Sequence, residues 1–126
     1  MTGEPEGDVP GAERRVRGQV VVPSGEPGER AAQIVIQVED VSRADAPSRV
    51  VAERRLEDVP LDGRPLAFEV QVPDEEIDER GMYSIRVHVD VSGSGQVESG
   101  DMITTQSYPV LTGGSPDEAT VTVRRI

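Results

Sequence analysis

Between residues 82 and 91 the chain alternates without a break. Tyr83, Ile85, Val87, Val89 and Val91 are apolar or aromatic, with Ser84, Arg86, His88 and Asp90 standing between them and Met82 leading in. A repeat of two puts successive side chains on opposite faces of an extended strand, so that one face is buried while the other meets water. Wound as a helix, the same residues would scatter their apolar groups around the whole surface. The pattern recurs at Ile34, Ile36 and Val38 against Gln33, Gln37 and Glu39, where only Val35 breaks the polar set. It recurs again at Leu66, Phe68, Val70 and Val72.

Short runs rich in Val, Ile and Thr, separated by Gly, Pro, Asp and Ser, predict strands over 16–22, 32–39, 49–56, 66–72, 82–91, 103–108 and 119–125. About seven strands of that spacing make an all-β chain, expected as a single antiparallel β-sandwich of Greek-key type, like an immunoglobulin or transthyretin domain. The one helical element expected is a single turn over 75–79. Ser92-Gly93-Ser94-Gly95 reads as a turn in which glycine supplies positive φ. Tyr83 follows Asp78 and Gly81 into the strongest strand, as in a tyrosine corner, where the phenol bonds back to upstream backbone. Strands one and six, flanked by proline, are the expected sheet edges.

A chain of 126 residues is one domain's worth and needs no disulfide or metal staple. Residues 1–14 are mostly Gly, Pro and acid and are expected as a flexible leader, with the β-domain over 15–126. There is no Cys, so thiol catalysis and cysteine zinc sites are excluded. No apolar run approaches the roughly 18 residues of a spanning helix, and the first residues have no signal-peptide pattern. Net charge is −11, and all 13 basic residues are Arg. Such acidity repels phosphate backbones and anionic lipid, which disfavours nucleic acid and bare membrane as partners. Two readings of the acidity stand side by side: adaptation to high salt, where screening tolerates the charge, and plain solubility in an Arg-favouring genome.

No catalytic, cofactor-binding or metal-binding residue emerges. The single His, His88, falls on the polar face between Arg86 and Asp90 and is expected as a solvated side chain, without the nucleophile and orienting group that catalysis needs. A paired-carboxylate glycosidase site is disfavoured by the absence of Trp, with two Tyr and one Phe in the whole chain. The acidic run 74–79 lacks the glycine and ligand spacing of a calcium loop and reads as a solvated turn. In the loop Asp40-Val-Ser-Arg-Ala-Asp-Ala-Pro47, Asp and Ser are expected to cap backbone N–H groups, and Pro47 to hold Ala46 extended.

Four segments carry a resemblance: Val38-Glu-Asp-Val-Ser-Arg-Ala-Asp-Ala-Pro47, Phe68-Glu-Val70, the stretch from Ile77-Asp78 to Tyr83-Ser-Ile-Arg-Val87, and Tyr108-Pro-Val-Leu-Thr-Gly-Gly-Ser-Pro116. Together they resemble the YbaY/YscW-type small bacterial envelope lipoproteins, over about residues 16–126. The resemblance implies a secreted β-sandwich in the periplasm or at the outer membrane, tethered by a lipidated N-terminal Cys that this sequence does not contain. For the YscW type it further implies a pilotin that escorts the secretin ring protein of type III secretion. On that basis the chain is expected to be a non-catalytic, cofactor-free module that binds a protein partner, by strand addition at an open edge or in a groove between sheets. The alternative expectation is a small-ligand or glycan-binding envelope sandwich, which calls for a concave site with convergent polar groups.

Overall fold

The computed structural model describes residues 13–126. The leader expected over 1–14 therefore lies outside the described residues, except that Glu13 and Arg14 already belong to the first strand. Eight strands follow in order: β1 (Glu13–Val21), β2 (Arg30–Asp40), β3 (Arg49–Pro60), β4 (Leu66–Pro73), β5 (Tyr83–Asp90), β6 (Met102–Thr104), β7 (Pro109–Val110) and β8 (Glu118–Arg125). A 3-10 turn over Asp74–Glu76 stands where the single helical turn was expected, one residue early.

The all-β class holds, while the two-sheet antiparallel sandwich does not. The strands form one hydrogen-bonded path, β3-β2-β5-β6-β8-β1-β4, with β7 paired to β5 beside it. This sheet curls almost into a barrel. The strand that makes it continuous is β8. Its first half pairs parallel with β1, Arg17 opposite Glu118 through Val21 opposite Thr122, and its last residues pair antiparallel with β6. One strand therefore serves both layers, and the sheet is mixed. Alternation along a strand is the same in a sandwich and a barrel, so the pattern could not separate them.

Strand six is the second departure. Residues 103–108 do not run as one strand; β6 and β7 are short, and both pair with β5, at His88–Val89 and Tyr83–Ser84. Between them the Ile85 N–H still donates to the Tyr108 carbonyl at 3.1 Å, and side chains supply the other bonds. Thr104 Oγ1 accepts from the Val87 N–H at 3.3 Å, and Ser84 Oγ accepts from the Tyr108 N–H at 2.9 Å. Hydroxyls beside a strand compete with its own backbone partners in this way.

The core is built of the alternating residues. Val16, Val20, Ile34, Ile36, Val38, Val72, Val87, Val89, Met102, Val121 and Val123 are fully buried. Tyr83 forms the expected corner, its hydroxyl accepting from the Asp78 N–H at 2.7 Å and donating to the Glu76 carbonyl at 3.2 Å. In the 40–47 loop, the Ser42 hydroxyl and then the Ser42 N–H, at 2.9 Å, donate to Asp40 Oδ1 and, with weaker help from Arg49 and Arg43, hold its carboxyl below the ordinary pKa.

Candidate functional site

Two places in the fold concentrate features beyond packing. The first is the hairpin connection 91–101 between β5 and β6. Asp90 ends β5 fully buried, and Asp101 stands just before β6 at 1% exposure. Asp90 Oδ1 accepts from the Gly93 N–H at 2.9 Å, and its Oδ2 accepts from Gly95 N–H and from Gln33 Nε2, each at 2.9 Å. Asp101 Oδ1 accepts from the Val91 N–H at 3.0 Å, and its Oδ2 takes the Glu98 N–H at 3.1 Å and His88 Nε2 at 2.8 Å. The expected Ser92–Gly95 turn is present, with Gly93 and Gly95 at φ of 84° and 83°, which lets their N–H groups turn inward onto Asp90.

His88 is therefore not the solvated side chain that alternation implied. It does lie on the outer face of β5, yet only 15% of its side chain is exposed. Gly95 and Val97 of the loop border the same outer concavity as His88, Val35 and Arg55, which also accounts for the burial of Val35 at 9%. Alternation assigns a face, and a folded-back loop then covers it. Burial works to raise the Asp90 pKa, but the hydrogen bonds from Gln33, Gly95 and Gly93, with His88 nearby, outweigh it and hold the carboxyl low.

His88, Asp90 and Asp101 bring their ligand atoms within 4.8 Å of one another, which is the spacing of a metal site. In this structure all four carboxylate oxygens accept hydrogen bonds, five of the six bonds coming from loop backbone or Gln33, so the trio ties the loop to β5. The cluster is a clasp. The acidic run 74–79 likewise serves structure: Asp78 Oδ1 accepts from the Arg80 N–H, and Glu76 pairs with Arg49 at 2.9 Å.

The second place is the open side of the barrel. β3 and β4 are joined directly by residues 61–65, yet they occupy opposite ends of the hydrogen-bonded path. Among the described residues these two end the path, and β7, paired to β5 alone, is a short third edge. β1 lies between β8 and β4, and β6 between β5 and β8, so neither β1 nor β6 is the edge that was expected. Proline beside a strand marks where a ladder stops along its length, not which flank lacks a neighbour.

A concavity of about 600 Å³ runs from this seam across the neighbouring strands, bordered by Arg54 and Leu56 of β3, residues 67–69 of β4, residues 17–19 of β1, and Glu118 and Thr120 of β8. Its polar groups are of both signs, and its one aromatic, Phe68, is 7% exposed. Arg54 is placed unusually. It pairs opposite Ile36, and Leu56 opposite Ile34, so both stand on the core-facing side of β3. Ile34 and Ile36 are fully buried while Arg54 is exposed. The core face of β3 thus runs past the end of the layer beneath it. Beyond Leu56, Asp58 at φ 53° kinks the strand, and its side chain and carbonyl accept from Arg30 at 2.6 and 2.8 Å.

No curated protein matches the chain. Among solved structures, it is similar to an alternative pilotin from the type II secretion system of Vibrio cholerae, with a TM-score of 0.74 at 21% identity. The match covers 91% of this chain and 98% of that one, which makes the fold the same at this level of identity. Residues 12–123 match the family described as type III secretion system lipoprotein chaperone (YscW). With a match over nearly the whole domain, on a fold shared with a secretion pilotin, the chain belongs to the YscW family of secretion lipoprotein chaperones.

Proposed function

We propose that this domain is a non-catalytic, pilotin-like module of the bacterial envelope, which binds a secretin-type outer-membrane protein and is held at the membrane by a lipid attached upstream of β1. Family membership over residues 12–123 is the observation that carries this reading. The architecture is in keeping with it: the buried polar groups of the 91–101 loop serve the loop itself, and among the described residues the sheet keeps unpaired edges at β3 and β4 of the kind that capture extended segments. Its strongly acidic surface favours a partner with basic segments and opposes direct contact with anionic lipid heads. A glycan site, the other reading, lacks the exposed aromatic platform that sugar stacking needs.

The test is genetic and biochemical together. Deleting the gene in its native host should move the secretin from outer-membrane to inner-membrane fractions and lower its assembled multimers about tenfold, with restoration by the full-length gene. A secretin distribution unchanged by the deletion would refute the pilotin role. Intact mass of the mature protein in the membrane fraction reads the lipid separately.

A further inference from the structure

We propose that the free edge of β3 binds a second copy of this chain: two β3 strands pair antiparallel about a twofold axis at Leu56, and their charged residues interlock. This goes beyond the pilotin reading and does not depend on it.

Among the described residues β3 pairs with β2 alone, from Arg49 opposite Asp40 to Pro60 opposite Arg30. Its other side therefore presents backbone N–H and C=O groups that another extended chain can match. Charged side chains on such an edge ordinarily turn a further strand away. On β3 their order selects one. Arg54-Arg55-Leu56-Glu57-Asp58 is basic before its apolar centre and acidic after it. Laid antiparallel against a copy of itself, it sets Arg55 opposite Glu57 and Arg54 opposite Asp58, each twice, with the two Leu56 side chains meeting at the axis. Directly opposed residues share a face, and opposite charges so placed attract. A twofold axis makes the match self-complementary, as a closed dimer requires.

The four charged residues are exposed and Leu56 is half-buried. Arg54 and Glu57 make no ion pair within 4 Å among the described residues. Their opposites keep a group to spare. Asp58 takes Arg30 Nε on Oδ1 at 2.6 Å, which leaves Oδ2, and Arg55 gives Nε to Glu53 and Nη1 to Gln33, which leaves Nη2. Neighbouring registers fail. Moving the axis one or two residues either way sets Arg54, Arg55, Glu57 or Asp58 against its own copy, like charge on like. An axis at Val51 would rest on Arg49 and Glu53, which already hold Glu76 and Arg55. The left-handed Asp58 ends the straight stretch and confines the pairing to residues 54–58 of each copy. So short an interface, between chains of net charge −11, associates weakly, with a Kd of about 10–100 µM in 0.15 M NaCl.

The experiment is sedimentation velocity on the full chain from about 5 µM to 1 mM, which brackets that range, with amide exchange at both ends of it. A dimer should form with concentration and slow exchange within 54–58. Arg55→Glu and Glu57→Arg should each weaken it at least tenfold, since one sets acid against acid and the other base against base. Mixed in equal amounts, the two variants should dimerise again, because each then supplies the charge that the other lacks. The doubly swapped chain, Arg55→Glu with Glu57→Arg, should associate like the original at unchanged net charge. Both sites are exposed, so the melting temperatures stay within about 4 °C. Glu57→Arg also makes the chain less acidic, so a dimer tightened by that change would answer to net charge and overturn the pairing. A monomer at every concentration, a dimer indifferent to both variants, no recovery on mixing, or protection confined to 66–73 of β4 would each overturn it as well.

Discussion

Asp90 and Asp101 sit in the sequence among many carboxylates, and nothing in their spacing marks them. Both are buried, and each gathers several donors, because the 91–101 loop turns back and aims its N–H groups at them. For Asp90 the consequence is measurable. Its folded pKa lies below the ordinary carboxylate value of about 4, so the stability it contributes is fully present above that value and is lost as pH falls through the lowered folded value. Unfolding free energy should therefore decline as pH drops below about 4, and Asp90→Asn should flatten that part of the curve in urea titrations at successive pH values. An unchanged slope in Asp90→Asn would mean that other carboxylates set the acid limb. Tyr83 was legible where Asp90 was not, since its corner depends on Asp78 and Gly81 close by in the chain. His88 misled for the opposite reason: its cover arrives from a loop whose path alternation does not encode.

Among the elements, β4 could be read almost residue by residue, while β2 and β5 kept the expected inner faces but also bury Val35, Ser84 and Asp90 on the outer one. The third strand runs four residues past its expected end, through the Asp58 kink, since a left-handed residue lets Val59 return to the core after Leu56. β1 and β8 depend on a detail with no signature in hydropathy. A Cβ at Gly18 would fall 1.8 Å from the Ala119 carbonyl oxygen, a backbone atom that cannot step aside. Gly18→Ala should push apart the parallel β1–β8 pair and cost about 2–3 kcal/mol, as overpacking does, read as a lower urea midpoint with unchanged slope. A loss below ~0.5 kcal/mol, the range of ordinary surface substitutions, would show that the pair relaxes freely. Strand six broke in two because Thr104 and Ser84 hydroxyls could replace ladder bonds, and their competition with backbone is decided only when β5 lies alongside.

For the whole molecule, charge and closure matter most. Net charge −11 is spread over a domain whose Arg–carboxylate pairs are mostly exposed, Arg14–Asp117 at 2.9 Å being among the better covered. Exposed pairs contribute little individually, so self-repulsion outweighs them. Raising NaCl from 0.05 to 1 M should lift the melting temperature by about 3–8 °C as the Debye length shrinks. A flat or falling curve would mean that the ion pairs matter more than the net charge, and would count against adaptation to salt. Closure was beyond the reach of pattern. Alternation tells each strand which side is wet, and turn residues tell where it ends, so the strand count, the core and the family resemblance were all accessible from sequence. Neighbour identity is a different kind of information. It depends on which long-range pairs bury the most surface together, and it was decided when β8 bridged β1 and β6 and left β3 and β4 facing each other unpaired. The sequence by itself determined an all-β domain with the right residues inside. Only the tertiary structure decided that, among the described residues, the ends of the sheet fall at β3 and β4, because an edge is defined by the absence of a neighbour and no local pattern records an absence.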